Sequence, residues 1–85
     1  MEPNDTVAGQ LNFMWTDLGV TRTFLQIARR QIAEGHDAAP LKQKVRDACS
    51  VLTTFLHTYG HHFPAAEREK IEVVLRSIES DANQL

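Results

Sequence analysis

The chain has 85 residues, a single cysteine, and nine Lys and Arg against eleven Asp and Glu, for a net charge of −2. That length admits one domain with a small core, the lone thiol excludes a disulfide framework, and the near-neutral balance offers no general attraction to nucleic-acid phosphates. No apolar run approaches the ~18 residues of a membrane span, so the expected partners include no nucleic acid and no membrane, and the expected location is cytoplasmic.

In chain order, Met1 to Thr6 is polar and acidic, without the basic start and apolar centre of a secretory signal, and residues 1–4 are expected to be flexible. Asp5 is a candidate N-cap for a first helix. Val7, Leu11, Met14, Leu18, Thr21, Leu25, Ala28 and Ile32 then recur in alternating steps of four and three, which lines one seam along one face of a helix. Gly35 follows the last periodic residue, where a left-handed terminator is expected. These signals predict a long first helix over roughly 5–34.

Pro40 suits the first turn of a second helix, where its missing N–H costs nothing, and Asp37 or Ala39 can start it. Leu41, Val45, Ala48, Leu52, Phe55 and Tyr59 form its seam, and Gly60 can end it, giving roughly 39–59. Pro64 suits the start of a third helix, and Glu67 and Glu69 lie where negative charge complements the helix dipole. Its seam is Ile71, Leu75, Ile78, Ala82 and Leu85, over roughly 64–83.

Strands need alternation with a period of two, and no such run extends beyond a few residues. The expected fold is therefore all-α, an antiparallel three-helix bundle spanning residues 1–85 as one domain, with two short connections. Its expected core is Leu18, Leu25, Val45, Leu52, Phe55, Ile71, Leu75 and Ile78.

Residues that carry chemistry are sparse. Cys49 adjoins the seam residue Ala48, where a small buried hydrophobe is its ordinary role. Arg22, Arg29, Arg30, Lys42, Lys44 and Arg46 gather near the first turn, but Glu34, Asp37 and Asp47 are interspersed, as on a solvated bundle end rather than a phosphate-binding patch. His57 and His61 stand at the i, i+4 spacing of a zinc pair, with His62 beside them. Gly60 is expected to break that register, His36 is expected at the opposite end of the bundle, and no further ligands are evident, so neither a metal site nor a cofactor is expected.

The long first helix resembles the general outline of the helical chorismate mutases. That resemblance implies several cationic and polar groups projecting into one cavity, whereas the inward positions here are apolar. No nucleophile elbow, phosphate-cradling glycine loop or dinucleotide fingerprint occurs. The sequence is read as that of a non-enzyme.

The first helix carries a second apolar stripe. At 100° per residue, Phe13, Val20, Phe24 and Ile27 cluster about 120° around the helix from the first seam, with Gln10, Asp17 and Gln31 between, while Trp15 lies on the opposite shoulder. Two neighbouring helices can use two stripes. Alternatively, part of this surface is a partner interface, where aromatic anchors are enriched. A chain this short, without a disulfide or an evident metal staple, has a lean core that association would supplement. The functional expectation is a small helical interaction module, an adaptor, inhibitor or chaperone-like subunit, forming a homodimer or binding a protein partner through Phe13, Trp15, Val20, Phe24 and Ile27. The alternative is a metal- or small-ligand-binding module that uses the His57 to His62 end.

Overall fold

A computed structural model describes residues 6–85. It is a three-helix bundle, with no strand among the described residues: α1 spans Val7–Ala33, α2 Ala39–Tyr59 and α3 Ala65–Asn83, with a short 3-10 turn at Gly60–His62 between the last two. Each helix contacts both others, and the α1–α2 pair is the most extensive. The molecule is elongated, 44 Å in its longest dimension, as expected from a 27-residue α1 that rises about 1.5 Å per residue to ~40 Å.

Local chemistry explains each boundary. Thr6, not Asp5, caps α1: its backbone is extended and its Oγ1 accepts a hydrogen bond from the Gly9 N–H at 2.9 Å, satisfying one of the free donors of the first turn. Asp5 and the expected flexible residues 1–4 lie outside the described residues. At the other end Gly35 has φ of +81°, the His36 N–H donates to Gln31 O at 2.8 Å and the Gly35 N–H donates to Ile32 O at 3.1 Å. This pair of bonds is a Schellman terminator, and it depends on glycine tolerating the left-handed backbone.

Asp37 Oδ1 accepts from the Ala39 N–H at 3.0 Å and so starts α2, with Pro40 in its first turn. Gly60 departs from expectation. Its φ of −60° and ψ of −27° are right-handed helical, so the chain continues turning through His62 and stops only at Phe63. Phe63 is extended, with ψ of 147°, because the following Pro64 disfavours the helical region for the residue before it. Space at Gly60 is tight on one side only: a Cβ there would sit 3.0 Å from Leu56 Cδ1, the end of a flexible side chain, and at an ordinary 3.6 Å from Arg68 Cδ.

The core is the apolar seam of each helix: Met14, Leu18 and Leu25 from α1, Val45, Cys49 and Leu52 from α2, and Ile71, Leu75, Ile78 and Ala82 from α3, closed at one end by Phe63. The seams of α1 and α3 follow the expected residues closely. That of α2 is rotated toward Cys49, and Phe55, expected in the core, is half-buried, as are Ala48 and Tyr59. Val7 and Ile32, the ends of the expected α1 seam, are exposed because α1 is longer than either helix it packs against.

Candidate interaction surface on the first helix

The rotation of α2 shapes the outer groove between α1 and α2. Phe55 leaves the centre of the bundle and stacks between Phe13 of α1 and Tyr59, each ring pair 4.6 Å apart. Further along, Phe24 is half-buried against the core and Lys44 Nζ lies 5.7 Å from its ring centre, close enough for cation–π attraction. Phe13 and Phe24 therefore belong largely to the contact between α1 and α2.

Val20 and Ile27 do not. They are 44% and 39% exposed, and helical spacing places them on the outer edge of α1 beside Phe13 and Phe24. Trp15 lies on the far flank, toward α3: it is 36% exposed and its Nε1–H donates to Glu67 Oε2 at 3.1 Å. The five residues singled out from the sequence thus fall into three environments. Phe13 and Phe24 form the floor of the α1–α2 groove, Val20 and Ile27 its open edge, and Trp15 the opposite flank.

One residue of this surface was not anticipated. Val51, 55% exposed, lines a shallow depression on α2 with Thr54, Phe55 and Tyr59. Its signal was available in the sequence, because Val51 lies one turn before Phe55 on a shoulder that otherwise carries Ser and Thr.

Other candidate chemistry separates from this face. Cys49 is buried, and burial followed by the nearby Glu79 carboxylate raises its thiol pKa above the ordinary 9.0; a protonated thiol is a poor nucleophile. Of the basic residues near the first turn, Arg29 pairs with Asp81 at 3.4 Å and the Lys42 ammonium donates to Leu85 O at 2.8 Å. Arg68 and Arg76 both meet Glu72, each at 3.7 Å. These cations are engaged with the bundle itself and do not converge on a cavity.

At the α2–α3 turn the helical Gly60 keeps His57 and His61 beside one cleft, along with Arg68 and Glu72, so the expected break in their register does not occur. The His61 and His62 rings are 4.0 Å apart. Among the described residues no three His, Cys, Asp or Glu side chains are grouped so as to hold a metal ion, and His36 lies in the other loop, 3.8 Å from Glu34. No helix among the described residues is long and apolar enough to cross a membrane. Comparison of the chain with known protein families, with curated proteins and with solved structures finds no match.

Proposed function

We propose that the protein is a small helical interaction module that self-associates through the outer face of α1, its part being that of an adaptor, inhibitor or chaperone-like subunit rather than an enzyme. The observation that supports this reading is the pair of exposed apolar residues Val20 and Ile27 on α1, which helical spacing places beside the half-buried Phe13 and Phe24. Single exposed apolar residues are ordinary on protein surfaces, but exposed apolar residues two turns apart on one helix edge, beside aromatic rings, suit a contact surface. The groove between two packed helices also has the shape that receives a further helix.

Ile27→Asp tests the reading. Ile27 lies largely outside the intramolecular packing, so the charge leaves the helices intact while introducing an unpaired carboxylate into a dry contact, which costs several kcal/mol. The expected result is unchanged circular dichroism and loss of association in sedimentation. Unchanged association with helicity retained would contradict it.

A further inference from the structure

The cleft between α2 and α3 gathers hydrogen-bond donors that the fold does not use. Among the described residues the side chains of His57 and His61 make no hydrogen bond or ion pair, and the one ring contact is that of His61 with His62. Arg68 meets Glu72 through Nε alone, at 3.7 Å, and Glu72 is shared with Arg76 at the same distance. That separation exceeds the ~2.7–2.9 Å of a charge-assisted hydrogen bond, and the terminal amino groups of Arg68 have no partner among the described residues. Arg29 and Lys42, by contrast, are committed to Asp81 and to the Leu85 carbonyl.

Three consecutive elements bring the donors together. His57 stands in the last turn of α2, the right-handed Gly60 carries the chain on so that His61 follows one turn later, and Arg68 lies in the first turn of α3. The Arg68 stem packs against that turn, its Cδ 3.6 Å from the position a Cβ at Gly60 would take. All three side chains border one cleft of about 290 Å³, at the small end of ligand pockets.

The surrounding charges decide what the cleft takes. Glu72 lines it and meets Arg76, and Glu79 accepts from the lining residue Thr53 at 3.3 Å. With Arg68 these make two cations and two carboxylates, so the sign of the cleft rests with the imidazoles, which ordinarily gain charge below pH ~6.5. A carboxylate ligand would only repeat the contact that Glu72 already makes with Arg68. A phosphoryl group carries about −1.5 to −2 charges near neutral pH and three strong acceptor oxygens, enough to engage all three donor side chains.

We propose that this cleft binds a phosphate dianion, free or as the phosphoryl group of a small molecule, with Arg68, His57 and His61 as its donors. No residue of the cleft belongs to α1, and the site is independent of the role proposed for that helix.

Nuclear magnetic resonance of the histidine rings tests it, with inorganic phosphate as the probe at constant ionic strength and pH ~6.5. Saturable shifts are expected at His57 and His61, with His36 in the other loop unmoved, and acetate at the same concentrations is expected to move none of them. Arg68→Gln, at an exposed position, is expected to weaken phosphate binding at least about tenfold with circular dichroism unchanged. Glu72→Gln is expected to tighten binding several-fold. Glu69→Gln, the same charge change on the same helix but outside the cleft, is expected to leave binding as it is. Glycerol phosphate then separates the sources: tighter binding than inorganic phosphate assigns a phosphomonoester, and weaker binding assigns free phosphate. Shifts that grow without saturation, that move His36 equally, or that persist unchanged in Arg68→Gln would overturn the proposal.

Discussion

The ring of Phe13 lies 4.6 Å from that of Phe55, joining α1 to α2 through two side chains that are each only half-buried. The contact explains why one apolar stripe on α1 has two roles. Its inner members hold α2 in place, and its outer members, Val20 and Ile27, extend the same surface past the point where α2 can cover it. Phe24→Asp and Ile27→Asp should therefore differ. The first places a charge against the core and is expected to lower the unfolding free energy by about 2–3 kcal/mol, and the second by less than about 1 kcal/mol, measured by urea denaturation at dilution where the chain is monomeric. Equal losses would place Ile27 inside the bundle.

Leu52 is fully buried at the centre of the core, while Val73 on α3 is largely exposed. Leu52→Ala should cost ~2–5 kcal/mol, the sum of lost transfer energy and the cavity left behind. Val73→Ala should stay within about 0.5 kcal/mol of wild type. Thermal or urea unfolding separates these outcomes, and a negligible loss at Leu52 would contradict the packing described.

Gly19 gives a prediction for the stability of the single chain. Because a Cβ at this position meets only open space, Gly19→Ala should stabilise the single chain by about 0.5–1 kcal/mol. The methyl group lies about 100° around α1 from Val20, outside the proposed contact, so self-association is expected to be unchanged. A variant less stable than wild type in dilute denaturation would contradict the open space beside Gly19.

Cys49 links stability to alkaline pH. Burial and Glu79 raise its thiol pKa in the folded chain above the ordinary 9.0, so above that value the unfolded state loses its proton first. The resulting contribution is fully present below about pH 9 and declines as pH rises through the folded-state value. Comparison of wild type with Cys49→Ala should show a steeper loss of stability for wild type above pH 9 and parallel profiles below it. Parallel profiles throughout would mean that the thiol is not desolvated.

Zinc distinguishes the histidine end from a metal centre. His57 and His61 border one cleft without a third grouped ligand among the described residues, and two imidazoles leave half of a tetrahedral shell to solvent. Micromolar zinc should leave the melting temperature unchanged to within about a degree, because stabilisation requires binding well above the dissociation constant. A saturable rise that His57→Ala and His61→Ala each abolish would establish a metal site.

Much of the fold was legible because the main seam of α1 and the seam of α3 are regular, and glycine and proline mark the turns. The α2 seam was less so. From Val45, steps of three and of four lead to Ala48 and Cys49, both small and apolar, and the large Phe55 lies on the Ala48 shoulder although the core takes the Cys49 side. Phe63 closes the core from a turn, outside any periodic run. Gly60 resembles a helix terminator because glycine usually marks left-handed backbone, yet here it is right-handed helical. The five residues proposed for the interface were visible as an excess of apolar surface on α1. Their division among floor, edge and far flank was not, because spacing along one helix does not say on which side its neighbours lie.

The most direct test is the mass of the wild-type protein in sedimentation equilibrium over a wide concentration range, alongside Ile27→Asp. Self-association through the outer face of α1 predicts a reversible monomer–dimer equilibrium for wild type and a monomer for Ile27→Asp at the same concentrations, with equal helicity in both. A wild-type monomer throughout the range, or a dimer unaffected by Ile27→Asp, would contradict it.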